Sequence, residues 1–290
     1  MCRFAFYLGE KITVSRLVTE PTNSIIHQSF DNQERVEPLN GDGFGLAWYV
    51  PHLQAEPAVF RSITPAWSNA NLHHLAAVIE SRCIMAHIRA ASPGLPVTEL
   101  NCHPFVWENF AFMHNGFVGG YAVLRRRVLR QLSDEAYAVV SGTTDSEWLF
   151  AMFIDRYRRN FDQDPLNRMA TALNDTIWDV EYLRVEARVT TPSQLNLAVS
   201  DGRRGVVTRF HGGDPEQANS LYVNAGKVYQ CEQGQCRMVD PRESDHGAVI
   251  VASEQLSDDA GWRRVRGNHM VLIDEDLRVE ERPIPVLSEP

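Results

Sequence analysis

From the second residue, aromatic side chains alternate with other residues through Cys2-Arg-Phe-Ala-Phe-Tyr-Leu8. A two-residue period of this kind predicts a short buried strand. A polar stretch follows, and residues 24–30 are too short a run to assign. Asn40-Gly-Asp-Gly-Phe-Gly45 packs three glycines into six residues, which demands a tight or left-handed turn, and it runs into a strand over 46–50. Leu72, Leu75, Ala76 and Ile79 share one helical face and predict a helix over 72–81. Buried strands are expected over 83–88 and 110–113, then basic amphipathic helices over 121–132 and 133–140. An apolar helix over 148–157 and a longer one over 166–188 come next. From Thr191 the pattern turns to strands, over 195–200, 206–210, 221–223, 249–252 and 269–273, with an Asp201-Gly202 hairpin joining the first two. Residues 231–247 read as polar and mobile. Strands, then helices, then strands suit an α+β fold of two sheets packed between helical layers. With no repeat, low-complexity tract or linker, one domain over 2–290 is expected.

Composition changes this picture little. The 290 residues are 44% hydrophobic and 22% charged, enough for a sizeable core. A formal charge of −9 argues against nucleic acid or an anionic membrane as partner. The arginines at 125–127 and 130, and at 156, 158 and 159, fall in helical segments and read as solvated faces. No apolar run reaches the ~18 residues of a membrane span, and the N-terminus lacks the features of a signal peptide. Five cysteines scattered over a long chain are not a disulfide framework, so a reducing cytosol is expected. Cys231 and Cys236 without a second cluster point to a surface hairpin rather than a metal site.

Candidate chemistry starts at Cys2. Cysteine is small enough there for an aminopeptidase to remove Met1, leaving a thiol and a free α-amine on one residue. The amine titrates near ~7.7–8.0 and the thiol near ~8.5, so the amine can take the thiol proton and return it to a leaving group. Position alone favours a buried small hydrophobe, and the downstream motifs raise the catalytic reading. Downstream, His87-Ile-Arg89-Ala90 sets charge at a strand end. His114-Asn115-Gly116 closes a strand, and by itself Asn-Gly reads as a hairpin turn. Asp145, in Thr144-Asp-Ser-Glu147, is a helix cap, a ligand for an ammonium group, or both.

Taken in order, Met1-Cys2, Asn40-Gly-Asp-Gly-Phe-Gly45, Ala86-His-Ile-Arg89, His103-Pro104, His114-Asn-Gly116 and Thr144-Asp-Ser-Glu147 resemble the class II glutamine amidotransferases. These are N-terminal-nucleophile hydrolases with a four-layer αββα sandwich. The segments at 24–30, 99–105, 112–116 and 142–148 further resemble the stand-alone amidotransferase subunit of alternative glutathione degradation. The γ-glutamyl hydrolase of ergothioneine synthesis is similar, more loosely at the His-Pro and Thr-Asp-Ser-Glu segments. The resemblance implies that Cys2 attacks a γ-carbonyl and forms a thioester, with its own amine as base and then acid. It implies an oxyanion hole from the Asn115 side chain and the Gly116 N–H. Arg89 would grip the substrate α-carboxylate and Asp145 its α-ammonium, so the recognised unit is a γ-glutamyl group.

With a free amine on Cys2 no histidine base is needed, and His87, His103 and His114 are expected to be structural. Phe44 and Trp48 are expected to pack around the site. Nothing calls for a metal or organic cofactor. The partners the resemblance implies are a small γ-glutamyl substrate and a metallopeptidase-like or synthase subunit. Ala90 departs from the family, because synthase-fused members often carry a bulky aromatic after the arginine that helps close a lid. Its smallness is expected to leave room for a larger leaving amine. The end at Pro290 is expected to leave no room for a fused synthase domain. Competing readings are a non-catalytic sensor of glutamine or glutathione and, more weakly, a metal hydrolase using the histidines.

Overall fold

The computed structural model describes residues 2–31, 39–91, 94–161, 163–232, 235–239 and 247–285. Two antiparallel sheets carry the fold. The first runs in the order β10 (Gln235–Val239), β9 (Tyr222–Glu232), β11 (Ala248–Ala252), β1 (Arg3–Thr13), β4 (Glu80–Ile88), β2 (Phe44–Trp48) and β3 (Ala58–Ser62), with β12 (Arg263–Arg264) alongside β9. The second runs β14 (Val279–Pro283), β13 (His269–Ile273), β8 (Gly205–Arg209), β7 (Gln194–Ser200), β6 (Phe110–Phe117) and β5 (Phe105–Trp107).

Three apolar cores separate four layers. Between the sheets, Phe4, Phe6 and Leu8 of β1 and Met85 of β4 meet Ala111, Met113, Ala198, Val207 and Val271. The outer face of the first sheet, with Tyr7, Ile84, Ile88 and Ile250, packs under α1 (Ser15–Val18) and α2 (Ala70–Ala76). The outer face of the second, with Phe112, Leu195, Leu197 and Leu272, packs under α3 (Tyr121–Gln131), α5 (Asp145–Arg159) and α6 (Pro165–Glu186). The alternation along β1 therefore buries both faces, as a strand between two apolar layers requires. This is the expected αββα sandwich.

Several elements differ from the sequence expectation. The helix predicted over 72–81 stops at Ala76, because Glu80 and Ser81 pair with Thr13 and Ile12 and open β4 three residues early. The helix predicted over 133–140 shrinks to α4 (Asp134–Tyr137). β6 runs on through Asn115 and Gly116, which pair with Asn196 and Leu195, so the Asn-Gly hairpin does not form. The stretch over 231–247 contains strand β10, while 233–234 and 240–246 lie outside the described residues. The hairpin expected around Cys231 and Cys236 is there as β9–β10, but its two cysteines face each other and form a disulfide. The first arginine cluster is solvated on α3, where Leu124 and Val128 turn inward. Among the described residues, no helix is long and apolar enough to cross a membrane.

Candidate active site

The site forms at the end of the sandwich where β1 begins and β4 finishes. Arg3 pairs with Ile88, so the antiparallel register brings Cys2 beside the residues that follow β4. There the Ala90 N–H donates to Cys2 Sγ at 3.3 Å, and the thiol lies 3.5 Å from the Ala90 carbonyl. Burial raises the Cys2 pKa, against the pull of the Ala90 hydrogen bond and the charges of Arg89 and Arg3. A thiol in that state is protonated at neutral pH and needs a base to become a nucleophile. Met1 lies outside the described residues.

The glycine-rich turn delivers backbone to the Arg89 segment. Arg89 N–H donates to the Gly43 carbonyl at 2.8 Å, Asp42 N–H to the Arg89 carbonyl at 3.2 Å, and Ala91 N–H to Asp42 Oδ2 at 2.8 Å. Gly43 has φ +114°, and a Cβ there would collide with the Ser62 carbonyl oxygen. Arg89 is 3% exposed, and its guanidinium donates only to the Asp42 and Pro96 carbonyls, at 3.5 and 3.3 Å. Among the described residues no carboxylate lies within ion-pair distance of it. A buried cation without a counter-charge is costly, and a carboxylate arriving with a ligand would relieve it. Ser92 and Pro93 lie outside the described residues.

Asn115 reaches the same end from the second sheet. Its Nδ2 donates to Ser253 Oγ at 3.3 Å, and that hydroxyl also accepts from Phe4 N–H at 3.0 Å. An amide nitrogen carries two hydrogens, so one N–H of Asn115 remains to donate. Gly116 follows in a backbone without room for a side chain: a Cβ would run into the Gln194 carbonyl and the His114 ring. Gly116→Ala is expected to destabilise the fold by about 1–3 kcal/mol through this overpacking. The urea midpoint checks it; a variant as stable as wild type would show that β7 can yield there.

Asp145 opens α5, with Thr144 as N-cap accepting from Glu147 N–H at 3.4 Å. The Asp145 carboxylate accepts from Val118 N–H at 2.8 Å and from the Ser146 hydroxyl at 3.3 Å. The cap falls to Thr144, and Asp145 faces the strand end that carries Asn115 and Gly116. Glu147 folds back to accept from Ser141 and Gly142 N–H at 3.0 and 2.7 Å, fixing the loop before the helix.

The three histidines cluster behind this surface. His87 Nε2 meets the His114 carbonyl at 3.1 Å, His103 lies 4.2 Å from His87 ring to ring, and His114 Nδ1 meets Ser146 Oγ at 2.9 Å. Burial pushes the His87 pKa down to about 3, and lowers His103 and His114 as well. Such rings are poor bases at neutral pH. In the unfolded chain they titrate near ~6.5. Stability is therefore fully present above that value and falls as the pH drops toward the folded-state pKa. From pH 6.5 to 5 the neutral-buried His87 ring is expected to cost about 1.6 kcal/mol, with His103 and His114 acting in the same direction. Urea unfolding at the two pH values checks this, and equal stabilities would mean that the rings protonate inside the fold.

Phe44 is buried and Trp48 half-buried, both packed in the core below the first helical layer, and the Phe44 and Phe60 ring centroids lie 5.8 Å apart in a tilted pair. Two groups escaped the sequence reading. Arg3 Nε donates to Glu254 Oε1 at 2.9 Å, both side chains buried, and Arg3 Nη1 donates to the Cys2 carbonyl at 3.1 Å. Ser253 ties β1 to Asn115. The signal was a polar Ser-Glu pair at the end of the buried strand 249–252, the same kind of signal that marked His87 to Arg89.

A thiol at a strand start, a buried guanidinium after the neighbouring strand and an amide from the second sheet thus gather at one end of the sandwich. The sequence pattern of the class II glutamine amidotransferases matches residues 16–283, and the chain belongs to that family of enzymes. It is 36% identical over 294 aligned residues to the probable glutamine amidotransferase DUG3 of Saccharomyces cerevisiae, covering 94% of this chain and 82% of that one. It is 27% identical to the gamma-glutamyl-hercynylcysteine sulfoxide hydrolase of Mycobacterium tuberculosis, over 95% of this chain and 94% of the other. Among solved structures, a glutamine aminotransferase class-II domain protein from Silicibacter pomeroyi superposes with a TM-score of 0.67 at 27% identity, over 98% of this chain and 100% of that one.

Proposed function

We propose that the protein is a cysteine amidase that hydrolyses the γ-glutamyl amide bond of a glutathione-like compound, in a cytosolic setting and with Met1 removed. The observation that carries this is Arg89: a buried guanidinium without a carboxylate partner, one residue from the backbone that holds Cys2 Sγ. Its planar fork suits an α-carboxylate, and Asp145 suits the α-ammonium of the same amino-acid head. Together they orient a glutamyl chain so that its γ-carbonyl reaches Cys2.

The Cys2 α-amine takes the thiol proton as sulfur attacks the γ-carbonyl carbon. The oxyanion that forms is held by the free N–H of Asn115 and the backbone N–H of Gly116. The α-ammonium then gives its proton to the leaving nitrogen, the C–N bond breaks and a γ-glutamyl thioester remains. Water, deprotonated by the same amine, attacks the thioester; glutamate leaves and the thiol is restored.

Ala90 supports a leaving amine larger than ammonia, because no bulky side chain follows Arg89. The relatives named for γ-glutamyl hydrolysis and amidotransfer support the same class. The second reading, a glutaminase subunit passing ammonia to a separate synthase, rests on the glutamine named in the family description. Rates of glutamate release from glutamine, glutathione and a γ-glutamyl anilide separate them. The proposal expects kcat/KM for glutathione or the anilide to exceed that for glutamine. Release from glutamine alone would favour the ammonia-delivering subunit, and no release from any by the Met1-free chain would favour a sensor.

A further inference from the structure

The β9–β10 hairpin carries chemistry that the catalytic account leaves unused. Cys231 and Cys236 stand directly opposite one another in the β9–β10 register. The structure adds what the sequence spacing lacked, a third ligand from a distant segment. Glu20, just after α1, brings a carboxylate so close that its oxygen and the two sulfurs all lie within 4.8 Å of one another. Cys231 Sγ is also 3.6 Å from the Arg16 carbonyl oxygen of α1. The Ser15 hydroxyl donates to Glu20 Oε1 at 2.5 Å and contacts Thr13 Oγ1 at 2.9 Å, which fixes the carboxylate and leaves its other oxygen to bind. Ligands held by a neighbour in this way are characteristic of metal sites. Beneath them the Tyr229 hydroxyl is buried without a hydrogen-bond partner.

We propose that, when the Cys231–Cys236 disulfide is reduced, these two cysteines and Glu20 hold a thiophilic divalent cation of the zinc class. Two thiolates and a carboxylate are a zinc donor set, with Zn–S near ~2.3 Å and Zn–O near ~2.0–2.2 Å. Tetrahedral ligands at those lengths sit about 3.5–3.8 Å apart, so the two sulfurs, bonded to each other in the disulfide, part on reduction, while the Glu20 carboxylate is already within reach. A dithiol reductant supplies two electrons and two protons: the S–S bond breaks, two thiols form, and the reductant closes its own disulfide. The cation then displaces the two thiol protons to solvent, and the Arg16 carbonyl or a water fills the fourth position. In a reducing compartment the cation takes over the cross-link that the disulfide makes under oxidation. The cluster lies beyond the Thr13 end of β1, whereas Cys2 precedes its Arg3 end. The ion therefore fastens the 13–20 segment to the edge hairpin and leaves the amidase chemistry alone.

Titration of the full-length chain with Co²⁺ and then Zn²⁺ tests this, after anaerobic reduction with a phosphine and removal of metals. The reduced chain is expected to bind one Co²⁺ with thiolate-to-cobalt charge-transfer absorption, to release it to Zn²⁺, and to melt at a higher temperature with Zn²⁺ present. The oxidised wild type, which has the same fold and no thiols at the hairpin, should show neither effect. Cys231→Ser should lose the absorption, Glu20→Gln should weaken binding by tenfold or more, and Cys2→Ala should leave it intact. Absence of one-to-one binding by the reduced chain, or binding that persists in Cys231→Ser or in the oxidised protein, would overturn the proposal.

Discussion

Replacing Cys2 by alanine is expected to abolish glutamate release from every γ-glutamyl substrate, a loss on the order of 10⁴-fold or more in kcat. No nearby group can take over. Cys102 is buried, with Sγ 3.4 Å from the Thr98 carbonyl and 3.7 Å from that of Ser62, and its pKa is raised by burial. Cys83 lies in the core between the sheets, where burial pushes its thiol up to about 12. The variant should fold normally, because what holds this end of β1 is the Arg3–Glu254 pair and the Ser253 bonds to Phe4, none of which uses the thiol. Circular dichroism alongside the rate assay keeps the two effects apart. A Cys2→Ala protein that folds and still releases glutamate would place the nucleophile elsewhere.

The second large effect is expected at Asn115. In the proposed mechanism its side chain supplies a donor that matters when the carbonyl oxygen becomes an anion, so Asn115→Ala should lower kcat by about 10²–10³-fold. KM should change little, because the proposed mechanism assigns the amino-acid head to Arg89 and Asp145. Ser253 offers an internal control. Ser253→Ala removes the hydroxyl that receives Asn115 Nδ2 and Phe4 N–H, leaving the oxyanion donor present but unheld. Its loss in kcat should therefore be smaller and in the same direction. An Asn115→Ala variant that raised KM and spared kcat would mean that the amide binds substrate rather than the developing charge.

Much of this centre was legible in the sequence because it is built from strand ends. Polar residues closing apolar runs, as at 87–90 and 114–116, mark where chain leaves the core, and the family's motifs fall on those positions. The order of periodicities suited two sheets between helical layers, and the family resemblance implied the four-layer αββα sandwich. What the sequence could not show is what depends on distant pairing. Ser253 and Glu254 lie about 250 residues from the strand they support, and only the β1–β11 register brings them to Phe4 and Arg3. The Asn-Gly turn signal at 115–116 lost to strand pairing, where Gly116 fits against β7 because it has no side chain. Likewise, the hairpin at 231–236 could be foreseen, but neither its disulfide nor its nearness to Glu20, which required the fold of α1. The apolar face of α2 continued in sequence past Ala76, yet pairing of Ser81 and Glu80 with β1 claimed that segment for the sheet.

The central claim is that Cys2, freed of Met1, is the nucleophile, and a covalent label tests it most directly. The protein would be incubated with a γ-glutamyl diazoketone, an electrophile that carries the same amino-acid head, then digested and sequenced by tandem mass spectrometry. The account predicts a single adduct, on Cys2 at the first position of a chain that lacks Met1, blocked by excess substrate and absent from Arg89→Ala at matched reagent. An adduct on Cys83 or Cys102, or labelling and turnover by chains that keep Met1, would contradict it.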